Sequence, residues 1–133
     1  MRSSSLVALF AVVVMCLACG GPVSSQEAPD AVSADPKHYS VAFENDVIRV
    51  LNIRYSPGET SVMHRHPANC AVFVTDTNGT FVLPNGETVP AAAPAGQVQC
   101  GDAEVHLPTN TGSTPFHVVV IEMKGRQTFA AAQ

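Results

Sequence analysis

Between residues 37 and 127 the chain is cut into short pieces by turn-forming pairs: Pro57-Gly58, Asn78-Gly79, Asn85-Gly86, Gly101-Asp102 and Thr111-Gly112. Such pairs supply the fixed or positive φ that hairpins and tight turns need. The runs between them, VIRVLNIRY, AVFVTDT and FHVVVIEM, are rich in β-branched residues, and no stretch keeps a helical period. Several short strands at that spacing predict an all-β domain, an antiparallel sandwich or barrel, and periodicity distinguishes no further. Asn78-Gly79-Thr80 also spells a glycosylation sequon, but Asn-Gly is read here as a hairpin turn.

A chain of 133 residues, 46% hydrophobic, can bury one ordinary core and no second. Lys+Arg 7 against Asp+Glu 11, without clustered cations, excludes a nucleic-acid footprint. The start of the chain reads as an address. After Arg2 and three serines, LVALFAVVVMCLAC is too short to span a bilayer but has the length of a signal-peptide core. Residues 1–25 are therefore expected to be a signal peptide, cut after Ser25 or replaced by a lipid on Cys19, where CLACGG resembles a bacterial lipobox. Either route exports the protein, to the periplasm or to a lipid anchor on the envelope. Residues 26–36, QEAPDAVSADP, read as a flexible linker, 37–127 as the domain and 128–133 as a C-terminal tail.

Histidine carries the chemistry. His64 and His66 stand two apart in the strand-like SVMHRHP, so alternation puts both rings on one face and Arg65 on the other. A third nitrogen has to come from another strand, and His106 in DAEVHLPTN is the candidate. A bare HxH is weak ground for a metal, since single strand histidines are mostly surface or hydrogen-bonded core residues.

The context is more specific. PGETSVMHRHPANC, with Gly58 five residues clear of His64, resembles the first motif of the cupins, and GDAEVHLPTNTG, with His106, Asn110 and Gly112, resembles the second. FENDVIRV, LPNGETV, PAGQV and VVVIEMK are similar to the remaining segments of small single-domain cupins, so the resemblance covers nearly all of residues 37–124. It implies a cupin double-stranded β-helix, a jelly-roll barrel of six to eight strands, with one divalent metal held by His64, His66 and His106. Where many cupins place a glutamate after the HxH pair, this chain has Cys70. An all-imidazole set suits Fe, Zn, Ni or Cu, and Mn less. Three protein ligands leave open positions, as catalytic rather than structural sites do.

Cys70 has three readings: a small apolar core residue, a disulfide partner for Cys100 in an oxidising compartment, or a functional thiol. The last draws on thiol dioxygenases, cupins with a three-histidine iron site in some of which a cysteine is cross-linked to a tyrosine; only Tyr39 and Tyr55 exist here, both upstream of the first motif. His117 opens a run apolar on both faces and reads as a satisfied core histidine or a pocket residue. Glu122 is either an acceptor for a ligand imidazole N–H or an inter-strand residue. Asn110 reads as a turn residue before Thr111-Gly112, with a place beside the pocket as the alternative. Arg49 and Arg54 read as charges on edge strands that deter sheet pairing, or as contacts for an anionic substrate.

Two function classes stay open. One is a metal-dependent dioxygenase or related oxidoreductase acting on a small organic molecule; the other is a non-catalytic cupin that binds metal or a small ligand for sensing, storage or scavenging. The partners implied are that small molecule, no nucleic acid, and a membrane only through a lipid on Cys19; a homodimer stays open. The mature chain is expected to start at or before Gln26. Intact-mass measurement of protein from envelope fractions should show loss of the first 25 residues or a diacylated Cys19, and full-length cytoplasmic chain would contradict export.

Overall fold

The computed structural model describes residues 28–129; the expected signal peptide with Cys19, the cut after Ser25 and the end of the tail lie outside the described residues. One helical turn, α1 (Ala31–Ala34), precedes nine strands: β1 (Tyr39–Glu44), β2 (Ile48–Tyr55), β3 (His64–His66), β4 (Asn69–Phe73), β5 (Thr77–Val82), β6 (Thr88–Ala93), β7 (Val98–Gly101), β8 (Glu104–Asn110) and β9 (Phe116–Met123). They form two antiparallel sheets, ordered β1-β2-β9-β4-β7 and β3-β8-β5-β6. The three β-branched runs supply β2, β4 and β9, and turns at Gly58 and Gly86 adopt the positive φ that glycine permits.

The core follows from the register of β2 on β9. Leu51 lies opposite Val120, Ile53 opposite Val118 and Tyr55 opposite Phe116, all buried, so one face of each strand points between the sheets. That alternation continues to the end of the pair. Arg49 therefore stands opposite Glu122 on the same inward face, although both are charged. Both β2 and β9 are interior strands, so Arg49 and Arg54 do not guard a sheet edge. Arg54 is exposed and faces away from the space between the sheets, which removes it from any substrate role there.

Two sequence expectations fail for physical reasons. The linker expected over 26–36 is ordered structure from Ala28 onward: Ala31 is fully buried, Asp30 caps α1 by accepting from the Val32 amide at 3.1 Å, and Arg65 N donates to Pro29 O at 2.9 Å. Buried Asp35 accepts from Ser61 and from His38. The segment has no apolar stripe because capping, pairing and two small side chains, Ala28 and Ala31, hold it down, and composition does not register those. The second failure is Asn78-Gly79, which is the interior of β5 rather than a turn. Gly79 is needed for closeness: a Cβ there would stand 2.5 Å from the Thr109 carbonyl oxygen of neighbouring β8.

That contact yields a test. Gly79→Ala must push β5 from β8 and is expected to cost about 1–3 kcal/mol, the usual range for overpacking, as a lower urea midpoint. An unchanged midpoint would show that the two backbones are not held that close.

Candidate metal centre

His64 and His66 project inward from β3, and antiparallel pairing sets His106 of β8 directly opposite His64. All three are buried, and a ligand nitrogen from each lies within 4.8 Å of the others. Ring centroids are 5.0 Å apart for His64 and His66, 4.9 Å for His64 and His106, and 5.3 Å for His66 and His106. No other group of three or more histidine, cysteine or acidic residues converges this way among the described residues.

The hydrogen bonds around the rings fix where their protons sit. His64 Nδ1 lies 2.7 Å from the Val62 carbonyl oxygen, which can only accept, so this nitrogen donates and Nε2 of the neutral ring is bare. His66 Nδ1 lies 2.7 Å from Glu122 Oε1 and donates likewise. With both rings neutral, the two Nε2 atoms face each other at 3.2 Å as two lone pairs, an arrangement a cation satisfies and a hydrogen bond between neutral rings does not. Nitrogens bound at about 2.0–2.1 Å to one ion, at angles between octahedral and tetrahedral, stand roughly 2.9–3.4 Å apart. The observed spacing falls inside that window. His106 adds a buried Nδ1 with no hydrogen-bond partner, 3.4 Å from Glu104 Oε2. The donor set therefore fits a divalent ion.

Electrostatics favour the neutral form of the His64 and His106 rings. Burial, and then the neighbouring His66 and His106, push His64 down to about 3. Burial also lowers His106, although Glu104 pulls the other way. For Glu104 itself burial opposes ionisation, but contact with His106 outweighs it and the carboxyl stays below its ordinary range.

A cavity of about 250 Å³ lies between the sheets beside the histidines. Ile53, Phe116 and Val118 contribute apolar walls, and Tyr39, Asn69, Gln99 and Glu104 contribute the polar groups. Phe81 stacks on His106 at 4.2 Å, and Tyr39 meets His64 edge-on at 4.7 Å while its hydroxyl accepts from Tyr55 at 3.0 Å. Glu104, Asn69 and Tyr39 were not among the sequence candidates. Glu104 could have been found, because EVH repeats the i, i+2 logic of HRH.

The remaining candidates separate cleanly. Glu122 is inward, 1% exposed, and bonded to His66. Cys70 faces away from the cavity and is joined to Cys100, directly opposite on β7, with Cα atoms 4.0 Å apart. Asn69 takes the inward position beside it, so Cys70 is not placed for a thiol-dioxygenase cross-link in this site. Asn110 bonds backbone, donating to Tyr55 O and Thr114 O and accepting from Gly112 N, and does not line the cavity. His117 is half-buried on the opposite face of β9, 3.0 Å from Asn52 Oδ1, where it lines a separate cavity with His38 and Glu59 and not the one beside the three histidines.

No protein-family model and no curated protein matches the chain. Solved structures do. A cupin domain from Bordetella pertussis superposes with a TM-score of 0.61 at 25% identity, over 74% of this chain and 97% of that one. A conserved Klebsiella pneumoniae protein with a double-stranded β-helix domain gives a TM-score of 0.55 at 22% identity, over 84% and 96%. A cupin-family protein from Methanocaldococcus jannaschii gives 0.52 at 15% identity, over 64% and 77%. The fold is the cupin double-stranded β-helix.

The depressed histidines set a pH dependence. An unfolded histidine titrates near 6.5, so between that value and about 3 unfolding of the metal-free protein takes up a proton at His64. Stability is full above about pH 6.5 and falls on acidification, by roughly 1.4 kcal/mol per pH unit for each such histidine. His106, shifted in the same direction, adds to the slope. Urea midpoints at about pH 7 and about pH 5 should differ accordingly, and less in His64→Leu.

Proposed function

We propose that this protein is a metal-dependent cupin enzyme, a dioxygenase or related oxidoreductase acting on a small organic molecule. The observation that carries this reading is the pair of bare imidazole nitrogens on β3 facing each other and His106 at the wall of a cavity. Fe, Zn, Ni or Cu suits three imidazoles better than Mn does, and a bound ion would supply a Lewis-acidic or redox-active centre with positions left open.

The chain's own residues do the rest. At about 250 Å³ the cavity falls below the roughly 300–1,000 Å³ of pockets for drug-sized ligands, which limits the substrate to a small molecule. Ile53, Phe116 and Val118 exclude water around it, while Asn69 and Gln99 offer amide groups that orient polar substituents. Glu104 brings an anionic carboxylate to the same space, a group a purely storage-type site does not need. The protein acts outside the cytoplasm on this reading, supported by the Cys70–Cys100 disulfide, since such bridges persist in oxidising compartments.

Elemental analysis of protein purified from the periplasm should find about one divalent metal per chain. His64→Ala should lose most of it, whereas Arg65→Ala, on the opposite strand face, should retain it. Equal metal content in the two variants would defeat the metal site. A metal-loaded protein that consumes no oxygen with any of a panel of small organic substrates would leave binding and remove the oxygenase reading.

A further inference from the structure

The mechanism so far uses Glu122 only as an acceptor for His66, yet Glu122 is one link in a longer series of contacts. Its second oxygen, Oε2, accepts from Arg49 Nε at 2.6 Å. The other edge of the same guanidinium is fully used: Arg49 Nη1 donates to Asp30 Oδ1 at 3.2 Å and Nη2 donates to Asp30 Oδ2. Asp30 is in turn fixed by capping α1 and by its parallel bridge to Arg65. Arg65 lies between His64 and His66 on β3. The contacts thus form a ring that leaves β3 at the backbone of Arg65, passes through Asp30, Arg49 and Glu122, and returns to β3 at the His66 imidazole.

We propose that Asp30 is a positioning residue of the metal centre, holding Arg49 and through it Glu122 in the one orientation that keeps His66 Nδ1 protonated and Nε2 aimed at the ion. The proposal rests on the reading of the three histidines as metal ligands. A planar guanidinium with donors committed on two edges cannot rotate, and a carboxylate with one oxygen on that guanidinium and one on an imidazole cannot swing into the coordination sphere. Asp30 also shares the charge of Arg49. With that share removed, the guanidinium draws harder on Glu122, which becomes a weaker acceptor for His66 and leaves the imidazole a poorer donor. The segment read from composition as a linker is therefore a working part of the site, and any processing of the chain has to leave Asp30 in place.

The experiment uses the mature protein and Zn²⁺ in competition with a chelator, with Co²⁺ absorption reporting ligand geometry. Asp30→Asn keeps the shape and a cap but removes the charge, and it should weaken Zn²⁺ binding about tenfold, the lower end of what outer partners of metal histidines contribute, and alter the Co²⁺ spectrum. Asp30→Glu, which restores the carboxylate, should bind more tightly than Asp30→Asn. Val32→Ala loosens the same segment without touching the ring, and should lower the melting temperature while leaving Zn²⁺ affinity and the Co²⁺ spectrum as in wild type. Wild-type behaviour of Asp30→Asn in both metal readouts overturns the proposal, as does an equal loss of Zn²⁺ affinity in Val32→Ala. Wild-type protein that binds neither ion defeats the metal reading itself. Positioning is then decided by ¹⁵N spectra of metal-free protein, in which Asp30→Asn must raise the Nε2–H tautomer of His66, an unchanged tautomer ruling it out.

Discussion

Two imidazole nitrogens facing each other at 3.2 Å, with the other nitrogen of each ring already held by an acceptor, are the constraint on which this structure turns. Left alone, neutral rings so placed would rotate until one donated to the other. Neither can, because the Val62 carbonyl holds one Nδ1 and Glu122 holds the other. Each of these acceptors is placed by the sheet rather than by the histidine. Val62 precedes β3 by two residues, and Glu122 reaches the site from β9 in the opposite sheet. The cupin fold is therefore more than a container: it supplies the two acceptors, one from each side, that turn a pair of strand histidines into a chelate.

Burying Glu122 to hold His66 carries a cost of its own. A carboxylate taken out of water loses several kcal/mol of solvation, and in this interior only closely fitted donors offset that. Arg49 offers one, and burial opposes its charge too, but Asp30 and Glu122 outweigh the penalty and raise its pKa. The result is a polar end to an otherwise apolar β2–β9 core. Leu51, Ile53 and Tyr55 face Val120, Val118 and Phe116 along most of the pair, and the same alternation then delivers Arg49 opposite Glu122. One periodicity builds both the core and the support of the site.

That explains what could be read from residues and what could not. Features governed by local geometry were legible: the strand runs, the turns at Gly58 and Gly86, and the shared face of His64 and His66, whereas the pairing of Cys70 with Cys100, one of three readings of Cys70, is decided by β4 lying beside β7. Features that depend on which strand lies beside which were not. Asn78-Gly79 spells a turn, but Gly79 is required because β8 passes within contact of it. Residues 28–36 spell a spacer, but a cap, an ion pair and two buried alanines fasten them. His117 could not be assigned a face because both faces of FHVVVIEM are apolar, and only the register against β2 and β4 turns it away from the cavity.

The departure from the usual cupin pattern also finds its place. The position after HxH that holds a glutamate in many cupins is Cys70 here, turned outward into a disulfide, with Asn69 facing in. Carboxylates are nonetheless present, in a different relation to the site. Glu122 has both oxygens engaged, by His66 and by Arg49, and Glu104 lies against His106 from the same strand. Glu104 stays ionised beside His106, and the carboxyl of Glu122 stands behind His66, so two acidic side chains flank the three imidazoles. A divalent cation is the charge that such a surround balances, and it would be held by nitrogen alone. With the carboxylates at the periphery rather than among the three histidines, the site keeps a field that attracts a divalent ion while offering it imidazole nitrogen.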